Sequence, residues 1–280
     1  MKMRTEAGIY SGFAAGSMAA AGLFLLLLLL IKPNRKRDVS GFKGKMYAHR
    51  GLHDDKIPEN SMAAFLAAKE HGYGVELDVQ MTKDDQLVVF HDGSLWRMCG
   101  VRGKLKDYTY KELQRFSLKD TEEKIPLFSD VLKLLDKTDI ICELKNNNGN
   151  FNYYFCERVC EEIKNYKGNI CIESFSPFLL RWFYKNRPEI IRGQLSNHMA
   201  HGDGMHFPAN LFMTHLLVNR VSRPDFISYR FSDIRTFGYR LCRKLYAPFC
   251  VVWTVKGQKQ IRDAKKNFDT IIFEKSSANR

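Results

Sequence analysis

The chain has 280 residues, of which 45% are hydrophobic and 27% are charged. These proportions are typical of globular domains and exclude a disordered or a fibrous chain. The formal net charge is +13, but residues 1–45 alone carry 8 basic and 2 acidic side chains, so the rest of the chain does not favour nucleic acid as a partner.

An apolar segment without charged side chains runs from Ala7 to Ile31. As a helix it would be about 37 Å long, enough to cross a hydrocarbon core of about 30 Å. A cleaved signal peptide is the alternative, but the basic run at 32–37 follows directly and leaves no small-residue cleavage site. We therefore predict one transmembrane helix at about 8–31, within a membrane-anchor region that covers residues 1–45.

Basic side chains flank this segment unevenly, with four in residues 32–37 and two in residues 1–6. The positive-inside rule then predicts a single-pass membrane protein whose folded domain lies on the cytoplasmic side, with the basic flank near anionic lipid. The seven cysteines include no CxxC pair, which favours reduced thiols in the cytosol.

Three glycines, Gly8, Gly12 and Gly16, follow one another at four-residue spacing in the same segment. Small residues at this spacing allow two membrane helices to approach closely. Self-association through this face is therefore a hypothesis, although glycine is common in such helices for other reasons.

Short β-rich runs alternate with amphipathic stretches from residue 46 to the end of the chain. We predict strands at 46–49, 75–79, 87–91, 140–144, 170–173, 190–193, 226–229, 249–253 and 270–273. We predict helices at 60–71, 110–116, 129–135, 151–166, 177–186 and 258–267, and one amphipathic helix within 207–221. This alternation predicts an α/β domain over 46–280, a (β/α)8 TIM barrel, with a doubly wound open sheet as the alternative. Because nine strands exceed eight, at least one should lie outside the barrel.

Carboxylates occur at the ends of two predicted strands, where barrel enzymes have their active sites. Glu76 and Asp78 are two residues apart and so point to the same face of a strand, and Glu143 ends a later strand. Buried carboxylates are costly unless they are paired or bind a metal. An all-oxygen ligand set favours one divalent cation, Mg²⁺ or Ca²⁺, whereas a paired structural cluster is the alternative.

Two histidines and two cations lie at the same predicted strand ends. His49 and His91 can exchange protons near neutral pH, and Arg50 and Lys145 can bind a phosphate group. A metal, paired imidazoles and cations together favour hydrolysis of a phosphate ester. Lys145 could also be only the salt-bridge partner of Glu143.

The sequence around these residues resembles the glycerophosphodiester phosphodiesterase family over roughly residues 45–275. The motifs, in chain order, are His49-Arg50-Gly51, Pro58-Glu59-Asn60-Ser61, Glu76-Leu77-Asp78-Val79, Val88-Val89-Phe90-His91-Asp92, Ile125-Pro126-Leu127, Glu143-Leu144-Lys145, Ser174-Phe175 and Trp253-Thr254-Val255. The block at 49–100 is the most specific part of the match.

The resemblance implies a TIM-barrel phosphodiesterase that cleaves glycerophosphodiesters to an alcohol and glycerol 3-phosphate. By the family's motif, the metal ligands would be Glu76, Asp78 and Glu143, and the acid/base pair would be His49 and His91. The phosphate would be bound by Arg50 and Lys145, and the glycerol side would be walled by Phe175 and Trp253. Related enzymes are thought to form a cyclic phosphate that water then opens.

The chain departs from the family's pattern outside the metal and histidine positions. The departures are Ser61, Met98-Cys99, Lys256 and Phe273-Glu274-Lys275. Because of these departures, the resemblance does not define the shape of the alcohol-side pocket. A lysophospholipase D that acts on membrane lysolipids is therefore one alternative. A non-catalytic protein that binds a phosphorylated ligand is another. The segment 196–208, which contains His198, His201 and His206, could be a loop at the membrane or over the site.

Overall fold

The computed structural model describes the backbone of residues 2–34, 36–145, 153–198 and 207–275, and the side chains of these residues from 16 onward except 207. Nine strands form one sheet within these residues. They are β1 (Met46–His49), β2 (Gly74–Met81), β3 (Leu87–Val89), β4 (Ile140–Leu144), β5 (Ile170–Ser174), β6 (Arg192–Ser196), β7 (Phe226–Arg230), β8 (Phe249–Lys256) and β9 (Thr270–Glu274).

The α-helices of the described residues surround this sheet or precede it. They are α1 (Lys2–Ile31), α2 (Met62–Glu70), α3 (Trp96–Cys99), α4 (Tyr110–Leu113), α5 (Phe128–Leu135), α6 (Tyr153–Ile163), α7 (Pro177–Asn186), α8 (Phe207–Thr214), α9 (Asn219–Ser222), α10 (Phe237–Tyr246) and α11 (Gly257–Asn267).

The sheet closes on itself into a barrel of eight parallel strands. β1 pairs in parallel with both β2 and β9, which joins the two edges. β3 pairs antiparallel with β2 and lies outside the barrel. The predicted (β/α)8 barrel and the extra strand are therefore confirmed, and the open sheet is wrong.

The lower part of the barrel interior is apolar and tightly filled. Inward side chains from six strands pack together there, namely Tyr47, Ile141, Cys171, Phe226, Val251 and Ile272. A Cβ atom on Gly193 would lie 2.1 Å from the ring of Phe226, so only glycine fits at this point of β6. Because these side chains fill the interior below, the space that polar residues line lies at the carboxyl ends of the strands.

The segment between β3 and α5 forms a separate small lobe at the barrel mouth. Its own apolar cluster includes Phe90, Leu95, Leu105, Leu113 and Ile125, all buried. The packing of this insertion lobe fixes the backbone that follows β3. The lobe therefore positions the polar residues 91–97 over one side of the mouth.

Most helix predictions agree with the structure, but the four-residue helix α3 was not predicted, and two longer segments also differ. The predicted helix within 207–221 is two short helices, α8 and α9, because Leu216 between them has a left-handed backbone with φ of 60°. Helix α10 was not predicted, although its buried residues Tyr239 and Cys242 have helical spacing.

The last turn of α1 is fixed to the barrel. Ile31 is fully buried, and its carbonyl oxygen accepts a hydrogen bond of 2.8 Å from Asn219 Nδ2. Tyr246 donates its hydroxyl to the Leu28 carbonyl oxygen at 2.8 Å. Among the residues that the structure describes, no helix is both long and apolar enough to cross a membrane. The transmembrane helix predicted at about 8–31 therefore lacks support, and its end instead packs on α9 and α10.

The glycine face predicted for self-association is only partly described. Among the described residues, no atom outside the adjacent turns of α1 would lie within 4 Å of a Cβ at Gly16. Gly8 and Gly12 lie outside the residues whose side chains are described, so self-association through this face stays a prediction.

Candidate active site

Three carboxylates converge at the carboxyl ends of β2 and β4. Glu76 and Asp78 both point into the barrel, and Asp78 is in register with Glu143 on the neighbouring strand. One oxygen of each carboxylate lies within 4.8 Å of the others, and all three residues are buried. The structure thus brings together the three acids that the sequence analysis assigned to a metal site.

The charges in this cluster are unbalanced. Burial, followed by the nearby carboxylates of Asp78 and Glu143, raises the pKa of Glu76 well above its usual value. Burial also raises the pKa of Glu143, against the effect of Lys145. Crowded carboxylates with oxygen donors are what a hard divalent cation neutralises, so these residues fit a Mg²⁺ or Ca²⁺ ion.

Lys145 lies against two carboxylates of this cluster, and its side chain is 10% exposed. Its Nζ is 2.9 Å from Asp78 Oδ1 and 2.7 Å from Glu143 Oε1. Burial would lower the pKa of Lys145, but the two carboxylates outweigh burial and raise it. The side chain is therefore charged, and it is engaged as a salt-bridge partner of two acids.

Arg50 is held beside the cluster by an unusual backbone turn. Arg50 and Gly51 have φ of 54° and 81°, and a Cβ on Gly51 would lie 2.8 Å from Ala64. The turn directs the Arg50 backbone N–H to Glu76 Oε2 at 3.0 Å. The guanidinium donates to Glu59 Oε1 at 2.7 Å, so this group is also bound to acids.

His49 ends β1 and points into the barrel mouth. Its Nδ1 is 4.0 Å from Glu274 Oε2 and has no hydrogen-bond partner within the described chain. Burial, with a smaller effect from Arg50, lowers the pKa of His49 well below its usual value. His49 is therefore neutral near pH 7 and can accept a proton.

His91 follows β3 and has a different environment. Its Nδ1 lies 2.6 Å from Asp92 Oδ1, and its side chain is about a third exposed. Arg97 donates from Nε to Asp92 Oδ2 at 2.6 Å, which fixes that carboxylate. Burial would raise the pKa of Asp92, but the bonds to His91 and Arg97 outweigh it and lower the pKa. Because an ionised carboxylate only accepts hydrogen bonds, this contact orients the His91 ring with Nδ1 towards Asp92.

Glu59 links Arg50 to the hydrogen-bonded chain of Arg97, Asp92 and His91. It accepts hydrogen bonds from Arg97 Nη1 and Nη2 at 2.8 and 2.7 Å and from Arg50 at 2.7 Å. Burial would raise the pKa of Glu59, but Arg97 and Arg50 lower it to about 2. In the sequence, Glu59 stands out only as a member of the motif Pro58-Glu59-Asn60-Ser61, and no role was predicted for it.

Asn60 is a second residue that sequence reasoning missed. Its Nδ2 donates to Asp78 Oδ2 at 2.8 Å, and its φ is 54°. The sequence did hold a signal for this residue. Asparagine tolerates the left-handed backbone region, and Asn60 directly follows Glu59 in the same motif.

The predicted aromatic residues wall a central cavity of about 250 Å³. The rings of Phe175 and Trp253 meet edge to face with centroids 5.8 Å apart. The cavity is also lined by His49, Arg50, Glu76, His91, Glu143, Lys145, Glu173 and Arg230. Glu173, which the sequence analysis did not single out, is buried in the wall, and burial raises its pKa to about 8.

Two grooves open from the central cavity. We call the first, of about 420 Å³, the insertion groove; it is lined by His91, Asp92, Gly93, Ser94, Trp96, Arg97 and Lys145. We call the second, of about 570 Å³, the lateral groove; its lining includes His49, His53, Arg230, Trp253, Lys256 and Glu274. A phosphodiester has two arms, so a central phosphate with one arm in each groove matches this shape.

The segment that sequence analysis offered as a loop over the site is mostly undescribed. The backbone N–H of His198 donates to Asp233 Oδ2 at 2.9 Å. His201 and His206 lie outside the described residues.

Comparisons with known proteins agree with this site. Residues 49–201 match the profile of the Glycerophosphoryl diester phosphodiesterase family. A glycerophosphodiester phosphodiesterase of Bacillus altitudinis is 35% identical over 173 residues, which are 58% of this chain and 70% of that protein. A lysophospholipase D of Rattus norvegicus is 32% identical over 165 residues, which are 54% of this chain and 50% of that protein.

The fold also has solved counterparts. A phosphodiesterase of Oleispira antarctica, solved in complex with its product sn-glycerol-3-phosphate, has a TM-score of 0.66 at 19% identity. The likeness covers 82% of this chain and 92% of that one, and at this identity it concerns the fold. The family match, which spans the histidines and all three clustered carboxylates, is the closer guide to the chemistry. The chain therefore belongs to the glycerophosphoryl diester phosphodiesterase family of enzymes.

Proposed function

We propose that this protein hydrolyses glycerophosphodiesters to an alcohol and glycerol 3-phosphate. The observation that carries the proposal is the pair of imidazoles with unlike surroundings in one cavity. His49 is buried and neutral, whereas His91 lies against the ionised Asp92. Such a pair can remove a proton at one oxygen while it supplies a proton at another.

The three clustered carboxylates of Glu76, Asp78 and Glu143 would hold one divalent cation, Mg²⁺ or Ca²⁺. Such an ion, when bound, offsets the negative charge that develops on phosphoryl oxygens. Lys145 and Arg50 would hold the ligand carboxylates in place, since each already bonds to them.

In the first step, His49 takes the proton from a glycerol hydroxyl, whose oxygen forms a bond to phosphorus. The bond from phosphorus to the alcohol oxygen breaks, and His91 gives that oxygen its proton. In the second step, a water opens the resulting cyclic phosphate with the two proton transfers reversed. This assignment directs the glycerol arm to the lateral groove, along Phe175 and Trp253, and the alcohol to the insertion groove.

Release of glycerol 3-phosphate from a panel of glycerophosphodiesters tests this function. We expect activity with Mg²⁺ or Ca²⁺ that EDTA abolishes and either ion restores. Absence of turnover on every head group, with both ions supplied, would refute the proposal. Full turnover in excess EDTA would refute only the cation site.

A lysophospholipase D activity is the second candidate. It is supported by the similar protein of that name in Rattus norvegicus. The lateral groove weighs against it, because charged side chains such as Arg230, Lys256 and Glu274 line the path that an acylated glycerol would take. We therefore expect faster hydrolysis of glycerophosphocholine than of lysophosphatidylcholine at equal concentration below the micellar limit, and the reverse order would favour the lipid activity.

We also propose that α1 attaches the protein to a lipid surface, with the barrel on the cytoplasmic side. Its side chains Leu23, Leu25 and Leu29 are more than half exposed, and basic residues at 32–37 follow. The seven free cysteines are compatible with that side.

Flotation with vesicles that contain anionic lipid tests this attachment. We expect the full chain to float and the variant Leu25→Glu with Leu29→Glu to remain in the soluble fraction. The variant Leu66→Glu, at an exposed leucine of α2, is the matched control and should float. Unmodified protein that stays soluble would contradict the proposal.

A further inference from the structure

Arg230 is a charged residue of the central cavity that the sequence analysis did not single out. It ends β7, where alternate residues Phe226, Ser228 and Arg230 share one face of the strand, and Phe226 belongs to the barrel interior. In the closed barrel, β7 is four strands from β2 in either direction. Arg230 therefore lies across the mouth from Glu76 and Asp78.

The surroundings of Arg230 hold its guanidinium without neutralising it. Its Cζ lies 5.2 Å above the centre of the Trp253 ring. The ion pair with Asp233 is loose, at 3.9 Å from Nη1 to Oδ2, and Asp233 Oδ2 already accepts the backbone N–H of His198. The aromatic face orients the planar group, which keeps its N–H donors available.

The other cations of this cavity each have a close acidic partner. Arg50 has Glu59 at 2.7 Å, and Lys145 has Glu143 at 2.7 Å and Asp78 at 2.9 Å. Among the lysines and arginines that line the cavity within the described chain, Arg230 has the longest ion pair. Arg230 is thus an available donor for an incoming phosphate anion, in addition to the two cations that the family resemblance assigns to it.

We infer that Arg230 binds the phosphoryl group of the substrate from the side of the cavity opposite the carboxylates. This inference rests on the proposed function, because it assumes a phosphodiester in the central cavity. Arg230 lines both this cavity and the lateral groove, so its donors can reach a phosphoryl oxygen and the first atoms of the glycerol arm. The same position covers one face of Trp253, where a quaternary ammonium group would otherwise stack.

The variant Arg230→Gln tests the inference by both kinetics and binding. We expect KM for glycerophosphoglycerol and the inhibition constant of glycerol 3-phosphate to rise together by roughly 10- to 100-fold, the usual effect of losing a charged hydrogen bond. Arg230→Lys should recover part of the loss, and guanidinium ion should partly rescue Arg230→Ala. Arg240→Gln, an exposed arginine on α10, removes the same charge away from the site and is the control.

Binding of inorganic phosphate to the Mg²⁺-loaded protein, measured by calorimetry, separates this inference from the proposed function. If no diester is turned over but phosphate binding still weakens in Arg230→Gln, the function fails and the phosphate contact stands. If diesters are hydrolysed and neither KM nor phosphate binding changes in Arg230→Gln, the inference is wrong. Loss of melting temperature with unchanged phosphate affinity would likewise assign Arg230 a structural role and overturn it.

Discussion

The two halves of the barrel mouth differ in how their polar residues are held. On the side of β1, β2 and β4, nearly every charged group has a close partner of opposite charge, as in the chain from His91 through Asp92 and Arg97 to Glu59. On the side of β7 to β9, Lys256 pairs with Glu274 at 2.8 Å at the exposed rim, but Arg230 has only a loose ion pair and lies over the ring of Trp253. Under the proposed function, the first half would carry out the proton transfers and hold the cation, whereas the second half would contact the phosphoryl group and the glycerol arm.

The difference between the two halves follows from the free-energy cost of burying charged groups. Several charges in one dry cavity are stable only when each is compensated, so a change in the first half leaves another charge unpaired. Side chains in the second half are more exposed, and water can replace a lost contact there. We therefore expect substitutions in the first half to lower kcat and those in the second half to act mainly on KM.

Removing either histidine should have the largest effect. His49→Asn and His91→Asn should each lower kcat by roughly 10²- to 10⁴-fold, because each removes one partner of the proton transfer. Steady-state assays with saturating Mg²⁺ measure this loss. His71→Gln, at an exposed histidine after α2, is the control and should retain full activity. Activity within threefold of the unmodified enzyme for either variant would show that the pair is misassigned.

Glu59→Gln should have an intermediate effect, although Glu59 need not touch the substrate. When the charge of Glu59 is removed, Arg97 and Arg50 lose the carboxylate that they share. Arg97 then holds Asp92 less firmly in place beside His91. We expect kcat to fall by roughly 10- to 100-fold. Glu161→Gln, which breaks an exposed ion pair with Arg158 on α6, should leave kcat unchanged.

For Glu59→Gln we also expect a change in how the free energy of unfolding depends on pH. The pKa of Glu59 is about 2 in the folded protein, below the ordinary value of about 4.5. Its stabilising contribution is therefore complete above pH 4.5 and is lost as pH falls towards 2. Urea unfolding should show Glu59→Gln less stable than the unmodified protein at pH 7, with the gap narrowing towards pH 3. An equal gap at both pH values would contradict the ionised pairing.

The first half of the mouth was also the more predictable from sequence. Glu76 and Asp78 were recognisable because they are two residues apart on an otherwise apolar strand. Glu143 was recognisable because it lies at the end of another strand. The alternation of a strand shows which residues share one of its faces. Once the fold was assigned as a barrel, the three carboxylates could therefore be expected to converge in its interior. It could not give Glu59 its role, because Glu59 acts through arginines that are distant in sequence.

The second half was less predictable because its residues do not stand out locally. Arg230 follows an ordinary apolar strand, and only the closed barrel places it opposite β2. The apolar segment at the start of the chain shows the same limit. Its composition is that of a membrane span, but composition does not reveal that Ile31 packs against α9 and α10.

The acid limb of the pH profile should report the buried histidine. Because burial lowers the pKa of His49, the base stays unprotonated below pH 6.5, and kcat/KM should fall with a midpoint below that value. An ordinary histidine base would lose about threefold between pH 7 and pH 6. A smaller loss over this range, with cation saturating, is expected. A midpoint at or above 6.5 would show that His49 is not the base.

The smallest effects should separate the two grooves. If the glycerol arm lies in the lateral groove, Lys256→Asn should raise KM about two- to fivefold, and by the same factor for every head group, because its exposed ion pair with Glu274 is weak. Trp96, largely exposed in the insertion groove, should instead contact the alcohol. Trp96→Ala should therefore shift the kcat/KM ratio of glycerophosphocholine to glycerophosphoglycerol by about fivefold, since stacking favours the choline. If Lys256→Asn shifts this ratio and Trp96→Ala does not, the arms occupy the grooves the other way round, and His91 rather than His49 faces the glycerol hydroxyl.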